Sequence, residues 1–138
     1  MKIMVSACLL GENCKYSGGN NYNEKVIDFI KDHTIIPICP EVMGGLPIPR
    51  SAGEIVNGVV RTKDGKSIDD EYHKGANIAL NIARKEQPDL IVLQSRSPSC
   101  GVKQIYDGSF TGKKIQGQGV FASLAIKEGF NVIDVEDL

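Results

Sequence analysis

Short apolar runs recur along the chain, separated by stretches with helical spacing or by polar, glycine-rich loops. Residues 2–7, with Ile3, Met4 and Val5, read as a first strand, apolar on both faces. A loop with Gly11, Gly18, Gly19 and several asparagines leads to Asn23. Asn23 suits a helix cap, and Val26, Ile27 and Ile30 make the apolar face of a helix reaching His33. Residues 34–38 then read as a second strand. Strand, helix and strand in so short a span predict a right-handed parallel crossover.

Residues 39–56 are rich in proline and glycine, and a loop of that length without structure of its own is often functional. Val56–Arg61 and Lys66–Ile68, joined through Lys63-Asp64-Gly65, predict a small β-hairpin. Ser67 or Asp69 is expected to cap a long helix whose apolar face is Ile68, Tyr72, Ala76, Ala79, Leu80 and Ala83, ended by Pro88. Leu90-Ile91-Val92-Leu93 reads as a buried strand and runs into Ser95-Arg96-Ser97-Pro98-Ser99-Cys100-Gly101. A glycine-rich loop through Gly117-Gln118-Gly119 precedes a last helix, Val120–Glu128, with Gly129 as its stop signal. Asn131–Val135 forms a fourth core strand. The alternation predicts an α/β fold: one three-layer domain over residues 1–138 with a mainly parallel, Rossmann-like sheet. Ligands of such sheets lie beyond the carboxyl ends of the strands, near a switch in strand order.

Composition narrows the choice of function. The 138 residues are 41% apolar and 24% charged with a net charge of −1, which suits an ordinary globular core and offers no electrostatic case for binding a long nucleic acid. No apolar run approaches the ~20 residues a bilayer span needs, so no membrane partner is expected. The amino terminus enters a strand at once, so no signal peptide is expected and the cytoplasm is the default location. There the four cysteines are expected as reduced thiols, metal ligands or nucleophiles rather than disulfides. Oligomeric state is left open.

Cys8, Cys39 and Cys100 each stand just past an apolar strand, so all three belong to one sheet edge. Each alone suits a small buried hydrophobe. Together they suggest a shared task. Structural zinc commonly uses short-spaced ligand pairs, and no CxxC knuckle is present. Three thiolates suit an iron–sulfur cluster with one iron left open, and an open iron can bind a substrate atom as a Lewis acid. A redox pair of Cys8 and Cys14 is a further reading, but it lacks a CxxC and a recognisable activating setting. A non-catalytic metal- or ligand-binding module on the same sheet is the alternative from another class.

Val5-Ser6-Ala7-Cys8-Leu9-Leu10-Gly11, Cys39-Pro40-Glu41-Val42-Met43-Gly44-Gly45-Leu46-Pro47, Ser95-Arg96-Ser97-Pro98-Ser99-Cys100-Gly101 and Ile105-Tyr106-Asp107-Gly108-Ser109-Phe110 together resemble the thiouracil desulfurase family. Four ordered motifs over nearly the whole chain make the resemblance specific. It implies a [4Fe–4S] cluster held by Cys8, Cys39 and Cys100, with one iron not ligated by protein. It also implies non-redox conversion of thiouracil, or a similar small-molecule thiocarbonyl substrate, to uracil with release of sulfide. Glu41 and Ser97 match the family's catalytic positions. Cys14 is not among the ligands carried over.

The plainer roles are a loop carboxylate paired with Arg50 for Glu41, the start of the turn at Pro98 for Ser97, and ion pairing for Arg50 and Arg96. Tyr106 and Phe110 suit either a wall for a flat ring or core packing. Gly117-Gln118-Gly119 before a helix is a weak anion signal. His33 and His73 join no ligand cluster.

Overall fold

The computed structural model describes all 138 residues, Met1–Leu138. Its main sheet has four parallel strands: β1 (Lys2–Ser6), β2 (Thr34–Ile38), β5 (Leu90–Leu93) and β8 (Val132–Asp134), in the order β2-β1-β5-β8. Pro37 lies in β2, at the edge of the sheet, where a residue without an N–H is tolerated. The chain runs from β1 outward to β2, then returns to the other side of β1 for β5. That reversal makes a switch point beside β1.

Alternating side chains along the strands enter different layers. Ile3, Val5, Leu90 and Val92 pack with Val26 and Ile30 of α1 (Glu24–Ile30). Met4, Ile38, Ile91 and Leu93 pack on the other face, against α3 (Asp69–Glu86) and α4 (Val120–Lys127). Helices therefore cover both faces, as a parallel sheet with two apolar faces requires. This is the expected three-layer α/β arrangement. The Asn23 side chain caps α1 by accepting from the Val26 N–H at 3.2 Å, also as expected. No helix is long and apolar enough to cross a membrane.

Several elements differ from the sequence reading. The hairpin pairs β3 (Gly53–Val56) with β4 (Val59–Thr62), and its turn is Asn57-Gly58, not Lys63-Asp64-Gly65. Both turn residues have positive φ, +49° and +81°, the conformation that favours Asn-Gly in two-residue hairpins. The Lys63-Asp64-Gly65 turn supports only the single bridge of Arg61 to Ser67. Residues 39–56 hold structure of their own: a one-turn helix α2 (Pro40–Met43), begun by a proline that needs no N–H there, and then β3. The loop before α4 contains a second hairpin, β6 (Gln104–Tyr106) with β7 (Lys114–Gln116). Neither Ser67 nor Asp69 caps α3. Asp69 is its first residue, and its carboxylate accepts from the Val60 N–H at 2.9 Å, tying the helix to β4.

α2 touches α3 backbone to backbone. A Cβ on Gly75 would lie 1.7 Å from the Pro40 carbonyl oxygen, and one on Gly44 would lie 1.9 Å from that of Glu71. Neither side can yield, because both obstructing atoms are main chain. Gly75→Ala is expected to lower stability by about 1–3 kcal/mol through overpacking. The exposed neighbour change Lys74→Ala should stay within about 0.5 kcal/mol. Urea unfolding of both variants checks the contrast.

Candidate functional site

A cavity of about 550 Å³ opens at the carboxyl edge of the main sheet. The ends of β1, β2 and β5 line it with Cys8, Cys39 and Cys100, and the first loop adds Cys14. Each thiol is placed by a local device. After β1 the chain tightens into a 3-10 turn, Ala7–Leu10, which ends at Gly11 with φ +95° and holds Cys8 at the strand's end. Cys39 is the residue from which α2 starts. Cys100 follows a turn built on Ser97, whose Oγ accepts the N–H groups of Ser99 and Cys100, both at 3.0 Å. Gly119, at the start of α4, lets that helix pack onto this turn. A Cβ on Gly119 would meet the Ser99 carbonyl carbon at 2.4 Å. Gly117-Gln118-Gly119 therefore serves close packing at its last glycine.

All four cysteines are free thiols. Cys14 stands between Cys8 and Cys39, and its thiol is the main reason the Cys8 thiol titrates below its ordinary range. The same neighbour brings Cys39 down to about 7 against the opposing effect of burial. Cys14 is pushed up by both neighbours, Cys39 first, and Cys39 Sγ donates to the Cys14 carbonyl at 3.7 Å. Cys100 is pushed up mainly by burial. The Asn21 amide also donates to Cys8 Sγ at 3.4 Å.

Glu41, which also lines the cavity, is held by three side-chain donors. Its Oε1 accepts from the Tyr72 hydroxyl at 2.7 Å and from Arg50 Nη2 at 3.2 Å. Its Oε2 accepts from Ser97 Oγ at 3.3 Å. Two N–H donors occupy the lone pairs of Ser97 Oγ, so its own proton is left for Glu41. Arg50 is almost wholly enclosed, its side chain 5% exposed, and also donates to the Cys14 carbonyl at 2.9 Å. It thus ties the loop of Cys14 to the loop of Glu41.

The carboxyl terminus braces the third loop. Buried Asp134 accepts from Ser95 Oγ at 2.6 Å, Glu136 pairs with Arg96 at 2.9 Å, and Asp137 pairs with Lys103 at 3.0 Å. Arg96 sits at φ +63°, a conformation a side-chain-bearing residue rarely adopts, beside this brace.

The residues singled out by sequence mostly meet here. Cys8, Cys39, Cys100, Glu41, Ser97 and Arg50 line one cavity, and so do Arg96, Tyr106 and Phe110. His33 and His73 stay away. His33 bonds the amino-terminal ammonium and His73 pairs with Asp69 along α3. The sequence reading missed Tyr72, which it counted as core, although a buried tyrosine hydroxyl ordinarily needs a partner. It also missed the acidic terminus, whose charges find partners only through the fold.

No three His, Cys, Asp or Glu side chains are grouped as a single metal ion requires. The fit to an iron–sulfur cluster rests instead on donor chemistry. Three free thiols from three separate strand ends open on one cavity, and thiolate is the usual protein ligand of such clusters.

Comparison with known proteins gives a consistent result. The chain is 35% identical over 146 residues to the uncharacterized protein YbbK of Bacillus subtilis (strain 168), covering 99% of this chain and 97% of that protein. The solved structure of the [4Fe-4S]-dependent thiouracil desulfidase TudS superposes with a TM-score of 0.93 at 34% identity, covering 99% of this chain and 92% of that one. Residues 3–137 match the family model described as 2-thiouracil desulfurase. With the family model spanning nearly the whole chain and the fold and cavity residues in agreement, the chain belongs to the 2-thiouracil desulfurase family.

Proposed function

We propose that this protein is a [4Fe–4S]-dependent desulfidase that converts thiouracil, or a closely similar small thiocarbonyl compound, to the carbonyl compound with release of sulfide. The observation that carries the reading is one cavity lined by three strand-end thiols and by a carboxylate hydrogen-bonded to a serine. A non-catalytic binding module has no need of that last pair. Free thiols throughout suit a reducing, cytoplasmic setting.

Cys8, Cys39 and Cys100 would hold the cluster. When bound, it supplies an iron without a protein ligand, a Lewis acid that polarises the thiocarbonyl. The overall reaction takes a thiocarbonyl and water to a carbonyl and hydrogen sulfide. One C–S double bond is replaced by a C–O double bond, the carbon keeps its oxidation state, and no electron donor is required.

The chain's own residues handle the protons. Glu41 takes a proton from the attacking water while the new C–O bond forms. Ser97, hydrogen-bonded to Glu41 Oε2, orients the base and relays a proton toward the departing sulfur. The two backbone N–H donors on Ser97 Oγ stabilise any negative charge that gathers there. Arg50 anchors Glu41 and shuts one side of the cavity.

Anaerobically reconstituted protein is expected to be brown, with about four irons per chain. Cys8→Ser, Cys39→Ser and Cys100→Ser should each lose iron, because a hard hydroxyl replaces a soft thiolate. Cys14→Ser should keep its iron. Iron and sulfide analysis reads the result, and iron loss from Cys14→Ser with retention in Cys39→Ser would reverse the ligand assignment.

Glu41→Gln should retain iron and lose desulfuration by a factor on the order of 10²–10⁴, since an amide cannot accept the proton. Ser97→Ala should also slow turnover with iron near normal. Uracil and sulfide release from thiouracil, measured without oxygen, provides the assay. Full activity in Glu41→Gln would assign the carboxylate to structure alone.

A further inference from the structure

Tyr72 stands on α3, outside the strand-end loops and outside the set of residues that line the cavity. Its ring is 2% exposed and packs with Val60 and Ile68 under the β3–β4 hairpin. Its hydroxyl crosses the α2–α3 contact to reach Glu41 Oε1 at 2.7 Å, the only hydrogen bond that hydroxyl makes. The glycine contact between the two helices sets that reach. With Gly75 against Pro40 and Gly44 against Glu71, α2 cannot move off α3 without carrying Glu41 away from the phenol.

The two oxygens of Glu41 are therefore unlike. Oε1 is held by two donors, Tyr72 and Arg50, and Oε2 has the single, longer bond from Ser97. A carboxylate oxygen already accepting two strong hydrogen bonds is the poorer proton acceptor, because its electron density is engaged. Burial, and then the charge of Glu41, push the phenol's pKa up, so it stays protonated and acts toward the carboxylate as a donor.

We propose that Tyr72 is a positioning residue for Glu41: together with Arg50 it pins Oε1, locks the carboxylate rotamer, and leaves Oε2, beside Ser97, as the oxygen that takes the proton from water. The proposal rests on the reading of Glu41 as the general base. Arg50 alone does not suffice for this task. Its guanidinium is shared with the Cys14 and Pro47 carbonyls, whereas the Tyr72 hydroxyl is committed to Glu41 and fixed by a ring that cannot shift within its packing.

The test is Tyr72→Phe, which keeps the packed ring and removes one oxygen. In cluster-loaded protein, kcat on thiouracil should fall roughly 10–100-fold, the scale expected when a reacting group is slightly misplaced. KM and iron content should stay within about twofold, because Tyr72 touches neither the cavity nor a thiol. In the Glu41→Gln background, Tyr72→Phe should add no further loss, since a residue that acts through Glu41 has nothing left to position. A merely structural tyrosine would slow both backgrounds alike. Unchanged kcat in Tyr72→Phe, or losses that multiply in the double variant, would overturn the proposal.

A second measurement does not depend on turnover. With ¹³C-labelled glutamate carboxyl groups, the infrared band of Glu41 is assigned by its loss in Glu41→Gln. It should shift in Tyr72→Phe as the strong donor to Oε1 disappears, and an unmoved band overturns the proposal. Absence of desulfuration in unaltered, iron-loaded protein would overturn the proposed function instead, and the infrared comparison alone would then decide the role of Tyr72.

Discussion

Parallel pairing of β1 with β2 and with β5 is the constraint from which the site follows. Parallel strands send all their carboxyl ends to one edge, so residues that follow three strands are brought together however far apart they lie in the chain. Cys8, Cys39 and Cys100 are each such a residue. The strand order adds a second condition. Because β2 and β5 flank β1 on opposite sides, their connections diverge and leave the crevice that becomes the cavity. Side chains on both faces of the sheet are apolar and covered by helices, so the strands cannot slip without exposing Met4 or Val5, both fully buried.

A second constraint works at right angles to the sheet. α2 is a single turn and has too few internal hydrogen bonds to hold itself in place. Its position comes from the backbone contact of Gly44 and Gly75 with the much longer α3. Glu41 rides on that turn. Its carboxylate then meets Tyr72 from α3, Arg50 from the following loop and Ser97 from the third loop. Four separate segments thus fix one acid group beside three thiols. The charge of Arg50 and the hydrogen bonds from Tyr72 and Ser97 offset the cost of holding a carboxylate with little solvent around it.

Cys14 shows how a neutral neighbour shifts thiol chemistry more than the charges of Glu41 and Arg50 do. Beside the Cys14 thiol the thiols of Cys8 and Cys39 become more acidic and Cys14 itself less so. Proximity to Cys14 sets Cys8 and Cys39 apart from the other two thiols. Burial sets Cys100 apart again, since no comparable donor offsets its loss of water.

The local pattern of the chain was enough to place the strands of the main sheet, α1, α3, α4 and the layer order, because apolar periodicity and cap chemistry act over a few residues. Leu90-Ile91-Val92-Leu93 has no polar face to offer water, and Asn23 carries its cap in its own side chain. The thiols, Glu41 and Ser97 were legible too, because their motifs resemble a family and because each follows or adjoins an apolar strand. The Asn57-Gly58 turn is equally local, since both residues adopt the positive φ that a two-residue hairpin needs. What the chain alone could not decide depends on contacts between distant segments. The single turn of α2 exists because α3 holds it, Tyr72 has a polar duty because α2 brings Glu41 across to it, and Cys14 enters the cavity because Arg50 ties its loop down. The acidic terminus finds Ser95, Arg96 and Lys103 only once β8 lies beside β5. Local sequence sets the preferences of each segment, whereas these interactions need two surfaces to meet at hydrogen-bonding distance, and only the folded chain supplies the second surface.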